Sequence, residues 1–87
     1  MITTKRISIT KIKNDFNTRD DFLKSLISQF VNRRKSLNMT QEDVDAKMGN
    51  ADRLVSKWEC GLRTPTSFNL YCWAETLKTS LTIKPIE

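Results

Sequence analysis

The sequence predicts a mainly α-helical domain of four helices flanked by a short β-strand at each end, and three observations carry that expectation. Residues 39–66, MTQEDVDAKMGNADRLVSKWECGLRTPT, read as two short helices joined by a tight turn and closed by a basic loop. On either side of them apolar residues recur at three- and four-residue steps, the period of an amphipathic helix. Towards both ends of the chain that period gives way to alternation, the pattern of a half-buried strand.

The elements follow in order. Residues 5–13 alternate Ile7 and Ile9 with polar neighbours and slip phase at Ile12, and residues 14–17 form the turn into the first helix. That helix, 19–37, carries Phe22, Leu23, Leu26, Ile27, Phe30, Val31 and Leu37 on one face. Thr18 with Asp21 supplies its capping signal, and Arg33, Arg34 and Lys35 suit its negative C-terminal end. In the second helix, 40–48, Thr40 pairs with Asp43 in the same way, and Val44 and Met48 share a face four residues apart. Gly49-Asn50 breaks it: glycine tolerates the left-handed conformation that ends helices, and asparagine caps the next one.

The third helix, 51–59, buries Leu54, Val55 and Trp58, and Cys60-Gly61 ends it. After Pro65 a fourth helix, 66–78, carries Phe68, Leu70, Trp73, Ala74 and Leu77, with Thr66 or Ser67 as its cap. Residues 80–84 then place Leu81 and Ile83 on one face of a strand that Pro85 stops. Two isolated strands are marginal in water, so they pair with each other or with those of a second subunit. The two central helices are too short to persist alone and must pack on their neighbours. Residues 1–87 are expected to form a single domain.

Composition narrows the function. Fifteen Lys and Arg against ten Asp and Glu leave a formal charge of +5, and the isoelectric point near 9.5 favours an anionic partner. The chain has no histidine, the commonest general base and metal ligand. Its two glycines, Gly49 and Gly61, make no phosphate-cradling loop, and the acids at Glu42, Asp43 and Asp45 are accounted for by a helix start. No catalytic, cofactor or metal site is expected. No apolar run approaches the ~18 residues of a membrane span, and neither a secretory pattern nor a disulfide framework is present. A cytoplasmic, nucleoid-associated protein is the expectation.

Two helices at this spacing form a helix-turn-helix, whose second helix enters the DNA major groove. Opposite Leu54, Val55 and Trp58, the exposed side of that helix carries Asp52, Arg53, Ser56 and Lys57. Arg53 suits bidentate donation to guanine O6 and N7, while Asp52 either accepts from cytosine N4 or, the favoured reading, orients Arg53. The plainer reading of Arg53 is a surface charge paired with Asp52 or Glu59. Trp58 and Trp73 lie on apolar faces and belong to the core, whereas Tyr71 lies on the other face of the fourth helix; a dimer surface would use the terminal strands, the Tyr71 side of that helix, or both. Cys60, beside the basic loop, is read as a simple structural or surface thiol in preference to a redox sensor.

Arg34, Met39-Thr40-Gln41, Val44, Met48-Gly49, Val55-Ser56, Trp58-Glu59, Gly61, Arg63, Pro65, Leu70, Ala74 and Leu77 together resemble the Cro and lambda-repressor-like helix-turn-helix proteins, often called the Xre family. The resemblance spans roughly residues 22–83. It implies a lambda-repressor-like fold and a homodimer on double-stranded DNA, with recognition helices about 34 Å apart reading a palindromic operator. It implies that Gln41 bonds a phosphate and braces the recognition helix, that Arg63, Thr64 and Thr66 grip the phosphate backbone, and that Arg34 and Glu59 form a buried structural ion pair. Lys57 and the Asn38 backbone are further phosphate candidates; Arg33 and Lys35 are more readily read as solvated. By analogy of fold the protein is a repressor of phage or mobile-element type. Two alternatives stand beside this: an antitoxin that binds operator DNA and a toxin protein, and a protein-interaction module on the same fold. Three positions depart from the family pattern. Asp45 stands where alanine is usual, so either the motif helices separate there or Asp45 pairs with Lys47 or Arg53. Asn50 replaces an aliphatic residue in the turn, and Ala51 a serine or threonine cap, leaving the start of the recognition helix uncertain by a residue.

Overall fold

Three threonines start three of the helices by the same device. Thr18, Thr40 and Thr66 each turn a hydroxyl oxygen back to accept from the backbone N–H three residues on, at Asp21, Asp43 and Asn69, over 3.0–3.1 Å. Each bond satisfies one of the N–H groups that a helix start leaves without a partner. At Thr40 the box is reciprocal, because the Asp43 carboxylate accepts from the Thr40 N–H at 2.8 Å.

The computed structural model describes residues 6–8 and 18–82. Among them lie β1 (Arg6–Ser8), α1 (Arg19–Ser36), α2 (Gln41–Met48), α3 (Leu54–Glu59), α4 (Ser67–Thr76) and β2 (Ser80–Thr82). The mainly helical class and the order of elements match the expectation from sequence. Residues 5, 9–17 and 83–84, which complete the two anticipated strands and the first turn, lie outside the described residues. The strands pair with each other within one chain, in parallel, with Ile7 opposite Leu81. Parallel neighbours need a long crossover, and here all four helices supply it.

The apolar faces meet in one core of Leu26, Ile27 and Phe30 from α1, Val44 from α2, Val55 and Trp58 from α3, and Trp73, Ala74 and Leu77 from α4 and its end. Trp73 is its centre: its ring stacks on Phe30 at 4.3 Å between centroids and meets Trp58 at 5.1 Å. The indole of Trp58 thus clamps α3 from beneath, which a helix of six residues requires.

Two sequence expectations change in the packing. Arg33 is not simply solvated: its Nε and Nη2 donate to the Leu77 and Lys78 carbonyls at 2.9 and 3.2 Å, closing the C-terminal end of α4. The fourth helix also runs Ser67–Thr76, shorter at each end than 66–78, because Thr66 is its cap and Lys78 takes a left-handed φ of 55°.

Candidate nucleic-acid interface

The turn between α2 and α3 sets the geometry of the exposed face. Gly49 ends α2 in the left-handed conformation, φ 73°, and the Asn50 N–H returns to the Asp45 carbonyl at 2.9 Å. The chain then takes two further left-handed residues, Asp52 at φ 59° and Arg53 at φ 53°, before α3 begins at Leu54. The expected recognition helix of residues 51–59 is therefore three residues too long. Residues 51–53 are a turn, and helical φ is not available to Asp52 and Arg53 there. Left-handed backbone at a residue with a Cβ costs about 1–3 kcal/mol, so these two positions are held by their surroundings.

The stretch that contains them is bracketed by Asp45. Arg53 occupies the N-cap position of α3 but makes no side-chain cap. Instead Asp45 Oδ1, ten residues back on α2, accepts from the Val55 N–H and from Asn50 Nδ2, both at 3.0 Å. Neither sequence expectation for Asp45, helix separation or a pair with Lys47 or Arg53, describes this arrangement. The carboxylate serves as a cap donated by the neighbouring helix. The signal was present in two departures that sequence reasoning took separately: an acid at the small-residue position, and the missing serine or threonine at the helix start.

Asp52 and Arg53 are exposed on this turn, and Ser56 and Lys57 are half-buried on α3 behind them. Val55 and Trp58 of the same segment are buried, so its polar and charged residues are left towards solvent. The Lys57 carbonyl accepts from both the Leu62 and Arg63 N–H groups, at 2.9 and 3.2 Å, and so fixes the following loop against α3. Arg63 and Thr64 are exposed on that loop; Thr66 is exposed too, but its hydroxyl is already the α4 cap.

A polar clamp holds the C-terminal end of α3. Arg34 donates from Nε and Nη2 to the two Glu59 oxygens, at 2.8 and 2.9 Å, and from Nη1 to the Met39 carbonyl at 2.9 Å. Gln41 Nε2 donates to Glu59 Oε1 at 2.8 Å. Of the two roles expected for Gln41, a phosphate bond and a brace on the recognition helix, this bond is the brace, with Glu59 as its acceptor at the end of α3. Glu59, held this way, is not a partner for Arg53. Cys60 is an exposed free thiol whose sulfur approaches the Lys57 carbonyl at 3.6 Å.

No helix among the described residues is long and apolar enough to cross a membrane. A family model described as helix-turn-helix matches residues 32–84. The chain is also similar to a protein of Sinorhizobium fredii (strain NBRC 101917 / NGR234) described as an uncharacterized HTH-type transcriptional regulator, y4dJ, at 37% identity over 60 residues, covering 69% of this chain and 78% of that one. No solved structure matches. The matched region contains α2, the turn, α3 and the loop that Lys57 fixes, and on that ground the chain belongs to the helix-turn-helix family of the Cro-like, or Xre, kind.

Proposed function

We propose that the protein is a sequence-specific DNA-binding transcriptional regulator acting as a homodimeric repressor. The observation that carries this reading is the burial pattern of one segment: Asp52, Arg53 and Arg63 are exposed and Ser56 and Lys57 half-exposed, while Val55 and Trp58 anchor it to the core. Arg53 reads guanine in the major groove, Asp52 orients it, and Ser56 and Lys57 reach further along the groove. Arg63 and Thr64 hold the phosphate backbone, with Gln41 acting mainly through the end of α3 that it braces and Thr66 through the start of α4 that it caps. The excess of basic residues supports an electrostatic approach to DNA. Two copies related by a two-fold axis read the two halves of a palindromic operator, and bound protein blocks transcription by occupying the promoter. The similar protein from Sinorhizobium fredii, described as a transcriptional regulator, supports the same class.

Selection of bound fragments from a random duplex pool tests the proposal. A two-fold symmetric sequence is enriched, and its affinity, measured by fluorescence anisotropy, falls linearly on a logarithmic salt scale. Salt-dependent binding with no enriched sequence, or no DNA binding at all, overturns it.

A further inference from the structure

The turn that carries Arg53 has an unusual construction. Its two residues before α3 are both left-handed, and neither caps the helix that follows. Without a cap the first N–H groups of α3 have no partner inside the helix, and the short helix has little reason to begin where it does. One oxygen supplies the missing acceptor. Asp45 Oδ1 takes the Val55 N–H, the second of α3, and the same atom takes the Asn50 amide from the middle of the turn. Asp45 therefore ties three pieces to one point: α2, which bears it; the turn, through Asn50; and the start of α3, through Val55. Arg53 lies between the last two, so its backbone is trapped in a conformation that an arginine rarely takes unaided.

We propose that Asp45 is a specificity-determining positioning residue: by capping α3 from the neighbouring helix it fixes the Asp52-Arg53 turn and so aims the Arg53 guanidinium. The assignment rests on the reading of α3 as the DNA-reading element. The role belongs to the acceptor atom rather than to its charge, because a single oxygen receives both hydrogen bonds. An asparagine at this position keeps such an oxygen; an alanine does not.

The test uses the full chain, the duplex enriched from the random pool, and a scrambled duplex of the same length. Asp45→Ala loses about tenfold or more of the discrimination between the two duplexes, the size of a lost bidentate base contact, while the salt dependence on scrambled DNA is unchanged. Asp45→Asn restores most of the discrimination. Hydrogen exchange read without DNA shows the Val55 amide protected in the wild type and in Asp45→Asn, and exposed in Asp45→Ala. Arg53→Gly melts higher than the wild type, since glycine takes the left-handed turn freely, and yet loses the discrimination. Should Asp45→Ala fail to fold, Asn50→Ala decides: a severalfold loss of discrimination supports the proposal, and wild-type discrimination overturns it. A folded Asp45→Ala with wild-type discrimination, or an Asp45→Asn that fails as alanine does, also overturns it. If the wild type itself distinguishes no duplex, the DNA-reading proposal has failed, and Val55 exchange still reports whether the cap exists.

Discussion

Arg34 and Glu59 meet fork to fork, two N–H donors on two carboxylate oxygens, with side-chain exposures of only 11% and 8%. Such pairs are costly to halve. Arg34→Met leaves the Glu59 carboxylate desolvated beside a single Gln41 donor, and the loss is about 3–5 kcal/mol. In a domain of this size the melting temperature falls by roughly 12 °C or more. Adding Glu59→Gln to that background recovers part of the loss, because the buried charge is removed. Circular dichroism melts check both values, and a folded Arg34→Met with wild-type melting discards the account.

Arg33 faces the opposite problem, since its partners are carbonyls and not a charge. Truncating it to alanine leaves the Leu77 and Lys78 carbonyls without their donors and lowers stability by about 1–2 kcal/mol, discounted because one of the two bonds is exposed. Arg33→Lys does not restore it, as an ammonium cannot span both oxygens. Hydrogen exchange localises the loosening to the end of α4. DNA affinity at temperatures where the variant is folded stays at the wild-type level; a large drop there means that Arg33 meets phosphate after all.

The roles proposed for Arg53 and Arg63 separate reading from gripping. Arg53→Ala costs about 1–3 kcal/mol on the preferred sequence and little elsewhere, so the preference flattens. Arg63→Ala weakens every sequence alike and reduces the salt slope by about one phosphate contact. Anisotropy titrations at several salt concentrations distinguish the two patterns, and interchange of these outcomes between the residues rejects the division of labour.

Acid acts on the start of α2. Hydrogen bonds from the Thr40 backbone and side chain hold the Asp43 carboxyl below its ordinary value of 3.8. A depressed folded-state value means that the stabilisation is complete above pH 3.8 and disappears as pH falls through the lower value of the folded chain. Asp43→Asn removes the titrating charge, so it melts below the wild type at pH 7, and the gap closes in strong acid. A gap that widens as pH falls has the wrong sign for this mechanism.

Phe68 and Tyr71 form an aromatic pair at 6.4 Å on the outer side of α4, 69% and 56% exposed. With β1 and β2 paired inside one chain, the proposed homodimer would use this exposed aromatic surface. Tyr71→Glu shifts the protein towards monomer in sedimentation equilibrium and leaves its helix content unchanged. An unchanged mass distribution moves the dimer contact elsewhere.

Much of this architecture was readable because its signals are local. Thr18, Thr40 and Thr66 stand three residues before the amides they cap, and the apolar steps of α1 and α4 repeat often enough to fix a face. The start of α3 was not readable in the same way. Its cap comes from a residue ten positions earlier, and left-handed φ at Asp52 and Arg53 has no compositional mark. Arg33 was missed for a related reason: its acceptors lie more than forty residues away, and end-of-helix cations are usually solvated. Gln41 was expected to brace the recognition helix, but its partner there, Glu59, is one that only the packing brings near.

Adjacent residues of α1 lash two different elements, Arg33 the tail of α4 and Arg34 the end of α3, while the Lys57 carbonyl ties down the loop beyond. Such bracing leaves the scaffold little to rearrange on meeting a ligand. The ordering cost of association then falls on a few long outer side chains and is offset by released ions, and the heat-capacity change of complex formation stays small, as for a rigid body docking and unlike a segment that folds on arrival.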